Sequence, residues 1–139
     1  MSKGFFLYQY IDVIKAAFGE GKSCRITAIG SSMEPNISEG DSIVLIPPAD
    51  IVRGDILLYR ISEKNFALHR VLALGDILKC AGDNNIIVEN VRRENVIAMV
   101  SSIEHAGNVI YRGSRAFRKG ANMSRRRRFW RRVKNKLTR

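Results

Sequence analysis

Ser38-Glu39-Gly40-Asp41 leading into Ser42 to Ile46, and Val52-Arg53-Gly54-Asp55 leading into Ile56 to Ile61, decide how this chain is read. Glycine admits the positive φ that tight turns need, and aspartate bonds to main-chain N–H groups close by. The residues after each Gly-Asp pair are rich in Ile, Val and Leu, which fit a pleated and half-buried strand. Pro47-Pro48 stops the first of these strands. Working outward, Arg25 to Ile29 reads as an earlier strand, and Phe66 to Leu74, Ile77 to Ala81, Val96 to Ile103 and Val109 to Tyr111 as later ones. Short strands separated by turns about every ten residues predict a mainly β domain.

Composition limits what such a domain can be. A chain of 139 residues, 45% apolar, suits one domain with a real core and no need of disulfides. The net charge is +11, but its placement matters more. Residues 1–111 carry 11 Lys/Arg against 13 Asp/Glu, whereas residues 112–139 carry 13 Lys/Arg and no acid. The basic tail alone calls for an anionic partner. Cys24 and Cys80 lack metal-ligand spacing and read as reduced core thiols. His69 and His105 are too isolated for a metal site. No metal or other cofactor is expected.

Phe5 to Phe18 is the most apolar stretch, interrupted by Gln9, Asp12 and Lys15. Leu7, Ile11, Ile14 and Phe18 share one helical face, with Tyr10, Val13 and Ala17 beside them. This predicts an amphipathic helix, ended by Gly19-Glu20-Gly21 and docked on its own domain, on a partner or on a membrane surface. It is too short to span a bilayer and lacks a secretory cleavage site. The organisation expected is a helix over 1–22, a β domain over 23–112 and a basic tail over 113–139.

Chemistry points to Gly30-Ser31-Ser32-Met33-Glu34-Pro35. A serine on a turn at a strand end can lie open to a substrate, where a nucleophile belongs. The alternative is a plain polar turn. In Phe66 to Leu74, alternation puts Phe66, Leu68, Arg70, Leu72 and Leu74 on one face and Ala67, His69, Val71 and Ala73 on the other. The first face is expected to be core, and the second to leave His69 among small neighbours with space beside it.

Taken together, Ser32-Met33-Glu34-Pro35, Gly40-Asp41, Gly54-Asp55-Ile56, His69-Arg70-Val71 and Gly82-Asp83-Asn84-Asn85 resemble, in order and spacing, the boxes of type I signal peptidases. The resemblance covers about residues 24–104. Histidine in place of the lysine of many bacterial members is similar to the branch found in archaea, the endoplasmic reticulum and some sporulation systems. The fold implied is shared with the self-cleaving domains of SOS repressors. The resemblance implies a serine endopeptidase in which Ser32 attacks the scissile carbonyl and His69 moves the proton. Physical chemistry agrees, because a hydroxyl needs a base and imidazole suits that task near neutral pH. Main-chain N–H groups around Ser31 and Met33 are the oxyanion candidates. Some bacterial relatives carry a further hydroxyl two residues before the nucleophile, where this chain has Gly30. Ser31 is the rival nucleophile, although the family places the reactive serine directly before Met.

A third group should orient the imidazole, and two acids compete. The resemblance favours Glu89 as orienter and Asp83 as loop scaffold, with Arg70 able to assist either. Lys64 and Lys79 read as solvated residues rather than bases.

The tail runs Arg125-Arg126-Arg127-Arg128-Phe129-Trp130-Arg131-Arg132-Val133. Phe129, Trp130, Val133 and Leu137 share one helical face, and the arginines take the rest. Such a helix suits an anionic membrane surface. Nucleic acid is the rival partner, with the chain then a regulatory binding protein, and a disordered solvated tail with no specific partner is the third reading. The substrate expected is a leader or precursor peptide, and the location cytoplasmic or peripheral to a membrane.

Overall fold

A computed structural model describes residues 4–137, with side chains from Tyr10 onward. Helix α1 (Gly4–Gly19) is followed by strands β1 (Cys24–Thr27), β2 (Ser42–Ile46), β3 (Ile56–Arg60), β4 (Phe66–Ala73), β5 (Ile77–Ala81), β6 (Glu89–Arg92), β7 (Val96–His105) and β8 (Asn108–Tyr111), and then by helix α2 (Arg115–Leu137). The protein is a small, mainly β domain with one helix at each end.

All eight strands form one antiparallel sheet in the order β1-β2-β7-β3-β4-β5-β6, with β8 paired to β7. The central strands are buried on both faces, so two core clusters form. Ile56 and Leu58 of β3 join Ile11, Ile14, Ile43 and Leu45 on one side. Leu57 and Tyr59 join Val71, Leu78, Cys80 and Met99 on the other. This corrects the expectation for β4, because its second face is core as well: Ala67 and Val71 are buried there. One face of β4 is covered by α1 and the other by the cluster of Leu57, Tyr59, Leu78 and Met99.

Helix α1 packs on β1 and β4 through Ile11, Ile14 and Phe18, while Tyr10 and Val13 stay exposed. Leu7 lies outside the residues whose side chains are described. The helix stops where Gly21 takes φ +75°, which lets the Lys22 N–H reach the Ala17 carbonyl at 2.9 Å.

Both Gly-Asp turns work the same way. Asp41 accepts from the Ser38 N–H, and Asp55 from the Val52 N–H, each at 2.8 Å. Each carboxylate then ties in a distant basic side chain: His105 for Asp41, and Arg112, through a forked pair, for Asp55. These clips fix where β2 and β3 begin.

One strand, β6, was not anticipated. Its sequence, Glu-Asn-Val-Arg, holds one apolar residue and sits at the sheet edge. It pairs with β5 and sets Glu89 opposite Cys80.

Candidate active site

Ser32 and His69 line one pocket of about 410 Å³. The turn from Gly30 to Met33 and the end of β1 form one wall, and Ile61 with Phe66 to His69 forms another. Gly30 takes φ +95° as the chain leaves β1. That conformation strains any L side chain, so a side-chain hydroxyl at this position has no low-cost equivalent here. Ser31 is exposed, Ser32 half-buried, and Met33 packed into the core. Among the described residues no hydrogen bond joins the Ser32 hydroxyl to the imidazole. The N–H groups of Ser32 and Met33 also donate no main-chain hydrogen bond among the described residues.

The imidazole is held from behind. His69 Nδ1 lies 2.7 Å from Glu89 Oε1 and 3.0 Å from the Tyr59 hydroxyl, which itself donates to the same carboxylate oxygen. A carboxylate only accepts, so Nδ1 carries the proton and Nε2 is the basic nitrogen of the neutral ring. Burial, and then the Glu89 carboxylate, push the Tyr59 phenol far above its ordinary range. It therefore stays a donor. The same two influences push the Cys80 thiol up to about 12, so this cysteine is a packed hydrophobe and no nucleophile.

Asp83 does different work. Arg70 Nε and Nη2 meet its two carboxylate oxygens at 2.8 and 2.7 Å, and Asn36 donates to it at 2.8 Å. Arg70 also donates to the Gly54 carbonyl and lies over the Phe117 ring. Arg70 thus pairs with Asp83 and not with Glu89.

The Gly82-Asp83-Asn84-Asn85 loop leans directly on the serine turn. Asn84 N–H donates to the Ser32 carbonyl at 2.9 Å, and its side chain to the Ser31 carbonyl at 3.1 Å. A Cβ on Gly82 would stand 2.5 Å from that same Ser32 oxygen, so only glycine allows the approach.

The tail arginines supply the feature that the sequence hid. Arg127 donates to the carbonyls of Glu34 and Asp83, both at 2.9 Å, which bridges the two loops. Arg128 reaches the carbonyls of Asn85 and Gly82, Arg131 that of Asn84, and Arg132 that of Ile86. Four of the arginines assigned from sequence to an anionic surface are therefore engaged by the chain's own backbone. Arg125, Arg126 and Trp130 face outward. Gly120 lets α2 come close, since a Cβ there would stand 2.7 Å from Asn36 Oδ1.

Lys79 bonds Asn90 at the surface and Lys64 is exposed; neither lines the pocket. Tyr59 and Asn36 were missed from sequence. A buried strand tyrosine needs a partner for its hydroxyl, and that was the available signal for Tyr59. Among the described residues no group of three or more His, Cys, Asp or Glu side chains could hold a metal ion. No helix among them is long and apolar enough to cross a membrane. Neither a protein-family model nor any curated protein matches this chain.

Proposed function

We propose that this protein is a serine endopeptidase of the signal peptidase type, acting on an extended leader or precursor peptide. The observation that carries the reading is a single pocket lined by Ser32 and by an imidazole whose far nitrogen is fixed by Glu89 and Tyr59. In the reaction, His69 Nε2 takes the Ser32 proton as Oγ bonds to the scissile carbonyl carbon. The N–H groups of Ser32 and Met33 hold the oxyanion, an effect worth about 3 kcal/mol per donor. Collapse breaks the C–N bond, and the imidazolium returns the proton to the leaving amine. Water then repeats the sequence and frees the acid. Glu89 favours the imidazolium and holds the ring, while Arg70-Asp83 fixes the loop under the serine turn.

The peptide has a place to lie. Among the described residues strand β1 pairs on one side only, with β2, and its Ile26 and Thr27 line the pocket. An extended segment added to that free edge would run past Ser32. Resemblance to signal peptidases implies small residues at the cleaved positions.

The test is digestion of leader peptides by wild type, Ser32→Ala and Ser31→Ala. Cleavage by wild type and Ser31→Ala, with loss of about a thousandfold or more in Ser32→Ala, is the expected result. Identical digests from wild type and Ser32→Ala overturn the reading.

A further inference from the structure

A cavity larger than the serine pocket lies elsewhere in the fold. It measures about 630 Å³ and lies between α2, the Val52–Asp55 turn and β4. Its lining is largely apolar, through Val52, Val71, Leu72, Val88, Phe117 and Phe129. Arg53, Arg118 and Arg125 also line it. All three are exposed, and none of their guanidinium groups makes an ion pair or hydrogen bond among the described residues. The carboxylate beside them, Asp55, is already held by Arg112.

Helix α2 divides its labour by face. The face toward the sheet carries Phe117, Gly120, Ser124 and Arg128, all buried. The opposite face leaves Phe129 at 60%, Trp130 at 66% and Leu137 at 80% exposure. Phe129 belongs both to this apolar stripe and to the cavity lining, so the two surfaces are continuous. Unpaired arginines around an apolar hollow, next to exposed aromatics, match a ligand with an anionic head and a hydrocarbon body. A nucleic acid would match the charges but leave the hollow unfilled.

We propose that this face docks on a bilayer containing anionic phospholipid, with one lipid phosphate held by Arg53, Arg118 and Arg125, its upper hydrocarbon in the cavity, and the Phe129–Leu137 stripe in the interface. The docking stands apart from the peptidase reading, because none of these residues lines the serine pocket. A cation at an anionic membrane surface is worth about fivefold in affinity, so the three together supply on the order of a hundredfold.

The experiment is co-sedimentation of the full chain with vesicles of phosphatidylcholine, alone or mixed with phosphatidylglycerol, beside a single-stranded oligonucleotide shift. The proteins are wild type, the triple variant Arg53→Gln/Arg118→Gln/Arg125→Gln, and Phe129→Ser, each checked for native circular dichroism. The expected result is binding of wild type to the mixed vesicles only. The triple variant should bind about a hundredfold more weakly and Phe129→Ser detectably more weakly. Equal binding to both vesicle types, no binding to either, or a triple variant that binds as wild type overturns the proposal. So does an oligonucleotide shift that the triple variant abolishes while vesicles are ignored. If the triple variant loses its native spectrum, an unchanged Phe129→Ser overturns it alone.

Discussion

His69 and Arg70 are neighbours on β4, yet they point to opposite faces of the sheet, and each meets a carboxylate. The pairs are built differently. Arg70 and Asp83 have side-chain exposures of 3% and 0%, and each guanidinium nitrogen and each carboxylate oxygen is bonded: two bonds between them, one from Asn36 and one to Gly54. His69 and Glu89 are 11% and 31% exposed, and Nε2 is left over. A buried, saturated ion pair fixes loops in register but has no reactive atom to spare. A half-open pair with a basic nitrogen to spare can move a proton. On the proposed reading, adjacent residues thus divide scaffold from chemistry, and alternation along the strand keeps the two apart.

Asp83→Ala breaks the contrast most severely. It strands the Arg70 charge inside the protein, at a cost of about 3–5 kcal/mol. Urea denaturation should show a large fall in midpoint or no folded protein at all. Glu89→Gln should do the reverse. Its melting temperature stays close to wild type, while leader-peptide cleavage falls between about a hundred- and ten-thousandfold, because the amide neither steadies the imidazolium nor fixes the tautomer. Steady-state kinetics on a folded variant checks this, and a loss confined to KM would count against the orienting role.

Gly82→Ala sharpens the boundary between the two regions. The new methyl meets the Ser32 carbonyl, so the serine turn must shift, for about 1–3 kcal/mol and a larger loss of cleavage than of stability. Tyr59→Phe removes one donor to Glu89 and should cost about 1 kcal/mol in urea denaturation.

The smallest effect concerns Cys80. Its folded pKa stands above the ordinary 9.0, so the thiol's contribution to stability is complete below that pH and is lost as pH climbs toward about 12. At pH 9, iodoacetamide should label half-buried Cys24 in the native protein and leave Cys80 untouched until urea unfolds it.

How much of this was legible in the chain varies with the physics involved. The strands Ser42 to Ile46 and Ile77 to Ala81 stand where apolar runs between turn signals put them. β6 was not legible, because an edge strand paired on one side needs little apolar content to hold its ladder. That omission mattered, since β6 carries Glu89 and only its pairing with β5 shows why a residue so far along the chain reaches His69. The arginine ladder of α2 was the other blind spot. Charge patterning tells that arginines seek oxygen, but not whether the oxygen belongs to a lipid, a phosphate or the protein's own loop. Here Gly120 lets α2 come close to Asn36, and the Gly82–Ile86 carbonyls take four of the guanidinium groups.

The central claim is that an imidazole activates the Ser32 hydroxyl, and a substrate-independent reagent tests it most directly. Wild type and His69→Ala, both shown to be folded, are incubated with a fluorophosphonate and the adduct is mapped by peptide mass spectrometry. The account predicts one phosphonylated residue in wild type, Ser32, and an adduct slower by orders of magnitude in His69→Ala. Label on Ser31 instead, no label at all, or equal rates in the two proteins would contradict it.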